Sequence, residues 1–550
     1  MAPVHVDSEL KYTGAALVAL HFVSVVYFTR RVVTSLYHSS RSLTPSQDVR
    51  HRLERRKTLV PIYSGLAVLS LLTACYATSA YAKLSYKLWA DERGIGSSQS
   101  RVDQSFTGTA SDPSVIHKEP HLYGALLDRV RWLAVTPVYQ DAFEIVAEKA
   151  RRFWWAQQAD LALIPWSVFL ATEGSRRGIS HLFAFLSLAH LVNLSFAQNL
   201  FFIALLLTPA PLPQQNTRLR GFTGKLRRLG SRPKPLGWAL KPGFLILPVL
   251  ACYGSTLLFP GAAETGSIPR IFGIYRALTF APLVLQNIAP RSWGTVHSSR
   301  KAESALIALF KLMAVMSFGF HGISTFKGLR YNVPHAHYHR HSKYLPWDIE
   351  ERSRWERTTT ALGKLLGSTG DHPLVAGVGY DVLISGLSLG LWAAVRSLRA
   401  EDILTSVAPL YRHKDHKAVQ DTDNSEADDY NDDEEEDDDV SERGEEHEEE
   451  KGEVSTNSAI AILRSKGIKV SRPRRRRPSK ARTKGRDDPA EDPNDKTYQP
   501  TPGEQAMAQG DTISEQEVDL EAAALTWGLM SVGGLAFGGA GVFGGESLAS

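Results

Sequence analysis

Asp381 lies in the middle of an otherwise apolar run that extends from Pro373 through Trp392 to Val395. That run is long enough to cross a bilayer, and at about 1.5 Å per residue its aspartate falls well below the surface of the hydrocarbon. An ionisable group at such a depth costs roughly 2.5–3.5 kcal/mol on insertion scales, so it faces a partner, a cavity or a reaction rather than lipid. The other polar side chains inside apolar stretches are Asp160, His190, Asn193, Gln198, Asn199, Arg276, Gln286, Asn287, Lys311 and His321. Hydrogen bonding between helices accounts for any one of them; together they predict a polar interior.

Two chemistries follow for Asp381. Paired with Lys311 or Arg276, it is half of a buried ion pair that fixes helix register. Without such a partner it is a candidate acid, with Asp371 and Asp160 as second candidates. Asp371 precedes His372-Pro373 and is expected to cap the Asp381 helix, because proline is tolerated in a first turn. Lys311 lies near the end of its span and is also placed to snorkel. His190, Asn193 and Ala197 share one helical face by their i, i+3, i+7 spacing, and Gln198 and Asn199 adjoin it. With Phe183, Phe185, Phe196, Phe201 and Phe202 around it, the stripe suits an apolar ligand with one polar end, or ordinary helix packing. His190, Asn193, Gln198, Asn199, Arg276, Lys311 and His321 are therefore the candidate binding residues.

Metal and nucleotide chemistry are not indicated. His335, His337, His339 and His341 alternate in one loop, but no H-x-x-H-H box accompanies them, which excludes a membrane di-iron oxygenase. A cluster facing lipid head groups is the expected reading. There is no G-x-x-x-x-G-K-[ST], no G-x-S-x-G, and no D-D-x-x-D in an apolar helical setting, so a diphosphate-ionising synthase is excluded as well. No cofactor and no nucleic-acid partner are expected.

The elements that position these residues are helices. The 550 residues are 43% hydrophobic with a formal charge of +5, averages that mix apolar spans with a highly charged segment. Cys75 and Cys252 both fall in apolar spans, so no disulfide framework is expected. The first apolar run leads into Arg30-Arg31 and reads as a signal anchor rather than a cleaved leader. Candidate spans are 13–29, 58–81, 157–174, 181–208, 243–262, 268–289, 303–325, 373–396 and 522–545. The last two carry glycines at close spacing, among them Gly386, Gly390, Gly534 and Gly538, and are expected to pack together.

Loop charges constrain the topology. Arg30, Arg31, Arg41, Arg50, Arg52, Arg55, Arg56 and Lys57 crowd one loop. Arg218, Arg220, Lys225, Arg227, Arg228, Arg232, Lys234 and Lys241 crowd another, which has no acid. Both should face the cytosol, yet three candidate spans separate them. One of the three cannot cross. The least apolar is 157–174, which is expected to be re-entrant or interfacial. Eight crossings remain, with the N-terminus in the lumen. Trp132, Trp154 and Trp155 are expected to anchor interfacial helices within 82–156.

The expected architecture is an all-α polytopic bundle over 1–400, a disordered acidic and basic insert over 401–520, and a glycine-rich transmembrane helix over 521–550. The insert holds a near-continuous acidic run and a basic block around Arg474, neither of which has apolar surface to bury. That block is a candidate contact for anionic lipid or protein.

Two stretches carry a family resemblance: Phe196-Ala-Gln-Asn-Leu-Phe-Phe-Ile-Ala-Leu-Leu-Leu-Thr-Pro209, and Gly370-Asp-His-Pro-Leu-Val-Ala-Gly-Val-Gly-Tyr-Asp381. They resemble fungal multi-spanning proteins of secondary-metabolite clusters, including integral-membrane terpene cyclases of the ascofuranone and macrophorin type. The likeness covers roughly 181–396, and the charged insert is outside the pattern. It implies a metal-independent cyclisation of a polyprenyl chain, begun by protonation. No catalytic residue of that group is carried onto these positions. A desolvated carboxyl can deliver such a proton and aromatic faces can stabilise the cation, provided no arginine or lysine pairs with the acid. The readings open at this point are a membrane enzyme on an isoprenoid-like substrate, a small-solute or proton transporter, and a structural or adaptor protein. Its expected place is a multi-pass position in the endoplasmic reticulum or another endomembrane, with the bilayer and an apolar small molecule as partners.

Overall fold

A computed structural model describes residues 12–41, 50–93, 122–208, 238–259, 267–295, 300–333, 339–340, 349–350, 353–396, 398–409, 411 and 520–549. The acidic run, the block around Arg474 and most of the histidine loop lie outside the described residues. In chain order the helices are α1 (Thr13–Arg41), α2 (Arg50–Glu92), α3 (Leu122–Val135), α4 (Val138–Ala147), α5 (Ala150–Arg176), α6 (Leu182–Leu191), α7 (Leu194–Leu207) and α8 (Gly243–Leu257). They continue as α9 (Ile268–Thr279), α10 (Ala281–Ile288), α11 (Arg300–Asn332), α12 (Arg354–Leu366), α13 (Pro373–Val395), α14 (Ala400–Val407) and α15 (Leu520–Ala549). The only described strands are two antiparallel pairs of two residues each.

Five helices are long and apolar enough to cross a bilayer: α1, α2 from Lys57, α11 from Ser304, α13 and α15 to Leu548. The α9–α10 pair, bent by 41°, makes a sixth if it is one span. Pro282 in the first turn of α10 explains the bend, since it cannot donate to the preceding turn. The all-α membrane bundle expected from the sequence is present.

The helix α5 corrects the expectation for 157–174. It is 27 residues long, about 40 Å at helical rise. Leu161 to Ala171 are buried without a break, so this helix is surrounded by protein and is not interfacial. Its modest hydropathy reflects its setting, because a helix that touches other helices need not be apolar all round.

The stretch 181–208 is the one that turns back. Phe185 and Phe201 stand with ring centroids 5.6 Å apart, although sixteen residues of continuous helix would separate them by about 24 Å. The chain reverses at Val192-Asn193, so α6 and α7 form a hairpin. With α6–α7 turning back, the loop charges predict that α2 and α5 are the two segments that cross.

The helix α15 is also a hairpin. Gly534 has φ 83° and ψ 171°, a conformation that favours glycine. A Cβ on Gly538 would lie 3.2 Å from the Thr526 carbonyl oxygen and would strike Met530, contacts possible only between antiparallel arms. Length and composition alone would make this segment a span.

The two hairpins share a base. The Arg177 guanidinium donates to the Leu205 and Thr208 carbonyls at the end of α7, both at 3.4 Å, and to Glu546 near the end of α15 at 3.2 Å. Arg177 also bonds Glu173 on its own helix at 3.1 Å, and Arg396 after α13 grips Glu546 at 2.6 and 2.9 Å. All four side chains are almost wholly enclosed. Removing one partner from such a group costs about 3–5 kcal/mol, because a buried charge is left uncompensated.

The small-residue packing expected between α13 and α15 is present: Trp527 fills the space over Gly390 and donates to the Gly386 carbonyl at 3.2 Å. The boundary at 401 moves, because α14 docks against α15, with Ile403 and Val407 buried. The rest of the expected insert, from 412, is outside the described residues. Trp132 and Trp155 are buried, Trp132 against Tyr86, so neither is an interfacial anchor. Trp154 bonds Thr325 on α11.

Topology reporters placed after Arg41 and after Thr208 are expected on the same side of the membrane. Opposite sides would refute the exchange of roles between α5 and α6–α7.

Candidate functional site

The hairpin tip at Val192-Asn193 is held by charges of opposite sign. On α13, Asp381 accepts the Ser195 N–H at 2.7 Å on one oxygen and the Leu194 N–H at 3.1 Å on the other. These are orphan donors of the first turn of α7, and a carboxylate complements the positive end of that helix. Asn193 is the N-cap: its side chain accepts the Phe196 N–H at 3.0 Å and donates to the Ser70 carbonyl on α2 at 3.0 Å. At the other arm, Arg276 of α9 donates to the His190 carbonyl at 3.0 Å, a cation at the negative end of α6.

This corrects the expected ion pair. Neither Lys311 nor Arg276 lies within 4 Å of the Asp381 carboxylate; backbone amides take the place of a counter-charge. Lys311 reaches outward to the Tyr411 carbonyl at 3.3 Å.

Beside the tip is a cavity of about 290 Å³. Asp160, His190, Asn193, Arg276 and Asp381 all line it, so five of the ten sequence candidates converge. The rest of its wall is largely apolar, with Phe143, Phe153, Phe259 and Phe272 prominent. Arg276 stands 4.3 Å from the Phe272 ring centroid. Asp160 makes no hydrogen bond or ion pair through its carboxyl with any described residue; the charges that act on it are those of Arg276 and Asp381. Its backbone carbonyl accepts the Tyr275 hydroxyl.

The His190 tautomer follows from its partner. Thr279 donates its one hydroxyl proton to the Arg276 carbonyl at 2.7 Å, so at 2.8 Å it accepts from His190 Nε2–H. His190 Nδ1 keeps its lone pair, and no described residue bonds it.

The remaining candidates stand elsewhere. Gln198 donates to the Ser385 carbonyl at 3.3 Å and Asn199 to the Ser195 carbonyl at 2.8 Å, both as helix packing. His321 serves the second hairpin through Gln158: Nδ1 stands 2.6 Å from Gln158 Nε2, and Gln158 Oε1 accepts the Leu535 N–H at 3.2 Å. Asp371 does not cap α13. His372 does, accepting the Leu374 N–H on Nδ1 at 3.2 Å, while Asp371 binds Arg151 at 2.7 Å and Arg152 at 3.4 Å. Burial pulls the Asp371 carboxyl upward, but hydrogen bonds and charge from Arg151 and Arg152 outweigh it and hold the group below its ordinary value. A carboxyl held so firmly ionised is a poor proton donor, which argues against an acid role there.

Sequence reasoning missed the four cavity phenylalanines and Thr279. Phe143 had a visible signal, since α4 is amphipathic, but its apolar face turns to protein rather than lipid. No described group of three histidine, cysteine or carboxylate side chains has metal-site geometry. No family model, curated protein or solved structure matches the chain.

Replacing Asp381 with asparagine leaves one oxygen for two N–H donors. Asp381→Asn is expected to lose about 1–3 kcal/mol of stability, the cost of one unmet buried donor, whereas Asp160→Asn is expected to lose little. Thermal unfolding of both variants in detergent is the check; equal melting temperatures would refute the clamp. At the other end, the lowered Asp371 contributes stability that is complete above its unfolded value and lost as pH falls through the folded one. The melting-temperature gap between wild type and Asp371→Asn should therefore hold steady from pH 7 to about 5 and shrink below about 4. A gap that widens on acidification contradicts this.

Proposed function

We propose that this membrane-embedded helical protein is an enzyme of an endomembrane that cyclises an isoprenoid-like apolar substrate in the cavity beside the α6–α7 tip. The observation that carries the reading is Asp160, whose carboxyl has no hydrogen bond or ion pair with any described residue and faces an otherwise mainly aromatic and aliphatic cavity. A desolvated carboxyl of this kind suits general acid chemistry, and the phenylalanine faces suit a carbocation. In this reading Asp160 gives a proton to an alkene carbon or epoxide oxygen of the substrate. Carbon–carbon bonds then form as the positive charge moves along the chain. The final cation loses a proton, and the Asp160 carboxylate left by the first step is the base that recovers it. Asp381 and Arg276 hold the tip and position this wall of the cavity.

A second reading rests on the two broken helices, which are a feature of transporters with midplane sites. Both hairpins, however, have their bases at Arg177, whereas inverted repeats would place them at opposite ends. The enzyme reading is favoured for that reason.

Full-length protein incubated with polyprenyl chains and their epoxides should yield a product of unchanged mass and altered retention by chromatography with mass spectrometry. Asp160→Asn should cut turnover by about 10²–10⁴ without lowering the melting temperature. Full activity in Asp160→Asn would remove the acid assignment. Absence of any product, together with solute flux in proteoliposomes, would favour the transporter.

A further inference from the structure

A second cavity, about 490 Å³, lies between α2, the Gly367–Asp371 turn and the opposite face of α13. It is lined by Tyr76 and Ala80 of α2, Trp155 of α5, and Pro373, Ala376 and Leu383 of α13, among others. None of these lines the cavity beside the hairpin tip. Its rim faces outward from the bundle: Tyr76, Leu366, Tyr380 and Leu383 are all exposed apolar or aromatic side chains.

Depth decides what such a groove takes. Pro373 begins α13, so His372 stands at the boundary of a 23-residue span. Leu383 is ten residues on, about 15 Å deeper at helical rise. One leaflet contributes half of a hydrocarbon core about 30 Å thick, which is the same length. The groove is as long as one acyl chain lying parallel to α13.

Its polar end is defined too. His372 Nδ1 accepts the Leu374 N–H, so the ring proton is on Nε2. Burial, and then the charge of Arg152, lower the His372 pKa from its ordinary value, and with Nδ1 accepting from backbone the ring presents its N–H donor at Nε2. Arg151 and Arg152, the guanidiniums beside His372, are paired with Asp371 and Glu148, so neither is held free for an anionic head group. A neutral acceptor at the depth of the glycerol esters is the complement of this end.

We propose that this groove binds the acyl chain of one bilayer lipid, with His372 Nε2–H donating to the ester carbonyl oxygen and the chain lying along Ala376 and Tyr380 to Leu383. The site is independent of the chemistry assigned to the inner cavity.

The test uses full-length protein in nanodiscs that contain phosphatidylcholine with a diazirine on one acyl chain, with labelled peptides mapped by mass spectrometry after irradiation. Labelling should concentrate on the α2 and α13 walls of the groove, above the level on the lipid-facing side of α1 around Leu20 and Val26. Ala376→Phe, which fills the groove, should lower groove labelling about tenfold, equivalent to 1.4 kcal/mol, while Leu362→Phe on the exposed face of α12 should leave it unchanged. If Ala376→Phe does not elute as a folded species, Leu366→Trp blocks the same space from the other wall. Uniform labelling of groove and α1, or labelling insensitive to both filling variants, overturns the site. So does a parallel arm in which a diazirine polyprenyl alcohol labels the groove and the acyl probe does not.

Discussion

A helix that stops inside a bilayer leaves N–H and C=O groups with no water to bind, each costing several kcal/mol if unmet. This bundle breaks its helices twice among buried side chains, at Val192-Asn193 and at Gly534, and much of its interior polarity answers that demand. Asp381 and Asn193 serve the start of α7, Arg276 serves the end of α6, and Gln158 serves the arm that begins at Leu535. The signs are complementary: carboxylate at the N-terminal end, guanidinium at the C-terminal end. What looks like a scatter of misplaced charges is a set of caps supplied from neighbouring helices.

The same constraint shapes the cavity. A tip clamped from α9 and α13 cannot fill the space beside it, so a cavity remains where α4, α5, α9 and α13 approach the tip. Groups used as caps are committed to backbone, and a group left over is available for something else. Among the described carboxyls that line the cavity, Asp160 is the one not used as a cap. That distinction separates it from Asp381, although both are buried aspartates in central helices.

The prominence of Asp381 was legible in the sequence, as were the all-α class and the convergence of several polar side chains. Its partner was not, because the donors are backbone N–H groups of Leu194 and Ser195, which have no sequence signature of their own. Asn193 was the available signal: an asparagine in an apolar run can mark an N-cap as well as one face of a continuous helix. The charge balance of the loops asks for one segment among the three to turn back, and 181–208 is the one that reverses. Hydropathy then pointed to 157–174, since an average over a segment carries no signal of where the chain reverses. Both α5 and 181–208 are buried against protein, and the more apolar of the two is the one that reverses. Gly534 looked like a packing glycine; its neighbours Gly533 and Gly538 hid its role as the turn.

The Arg177 junction carries a consequence for how the chain comes together. Arg177 and Glu546 are 369 residues apart, and Arg396 waits for the same carboxylate. During synthesis α5, α6–α7 and α13 are therefore in the membrane well before the hairpin that neutralises them exists. Until it arrives, two buried guanidiniums and the Gln158 carboxamide lack their α15 partners. The bundle before that point is an open assembly with a vacant slot, and α15 closes it as a late-arriving internal wedge.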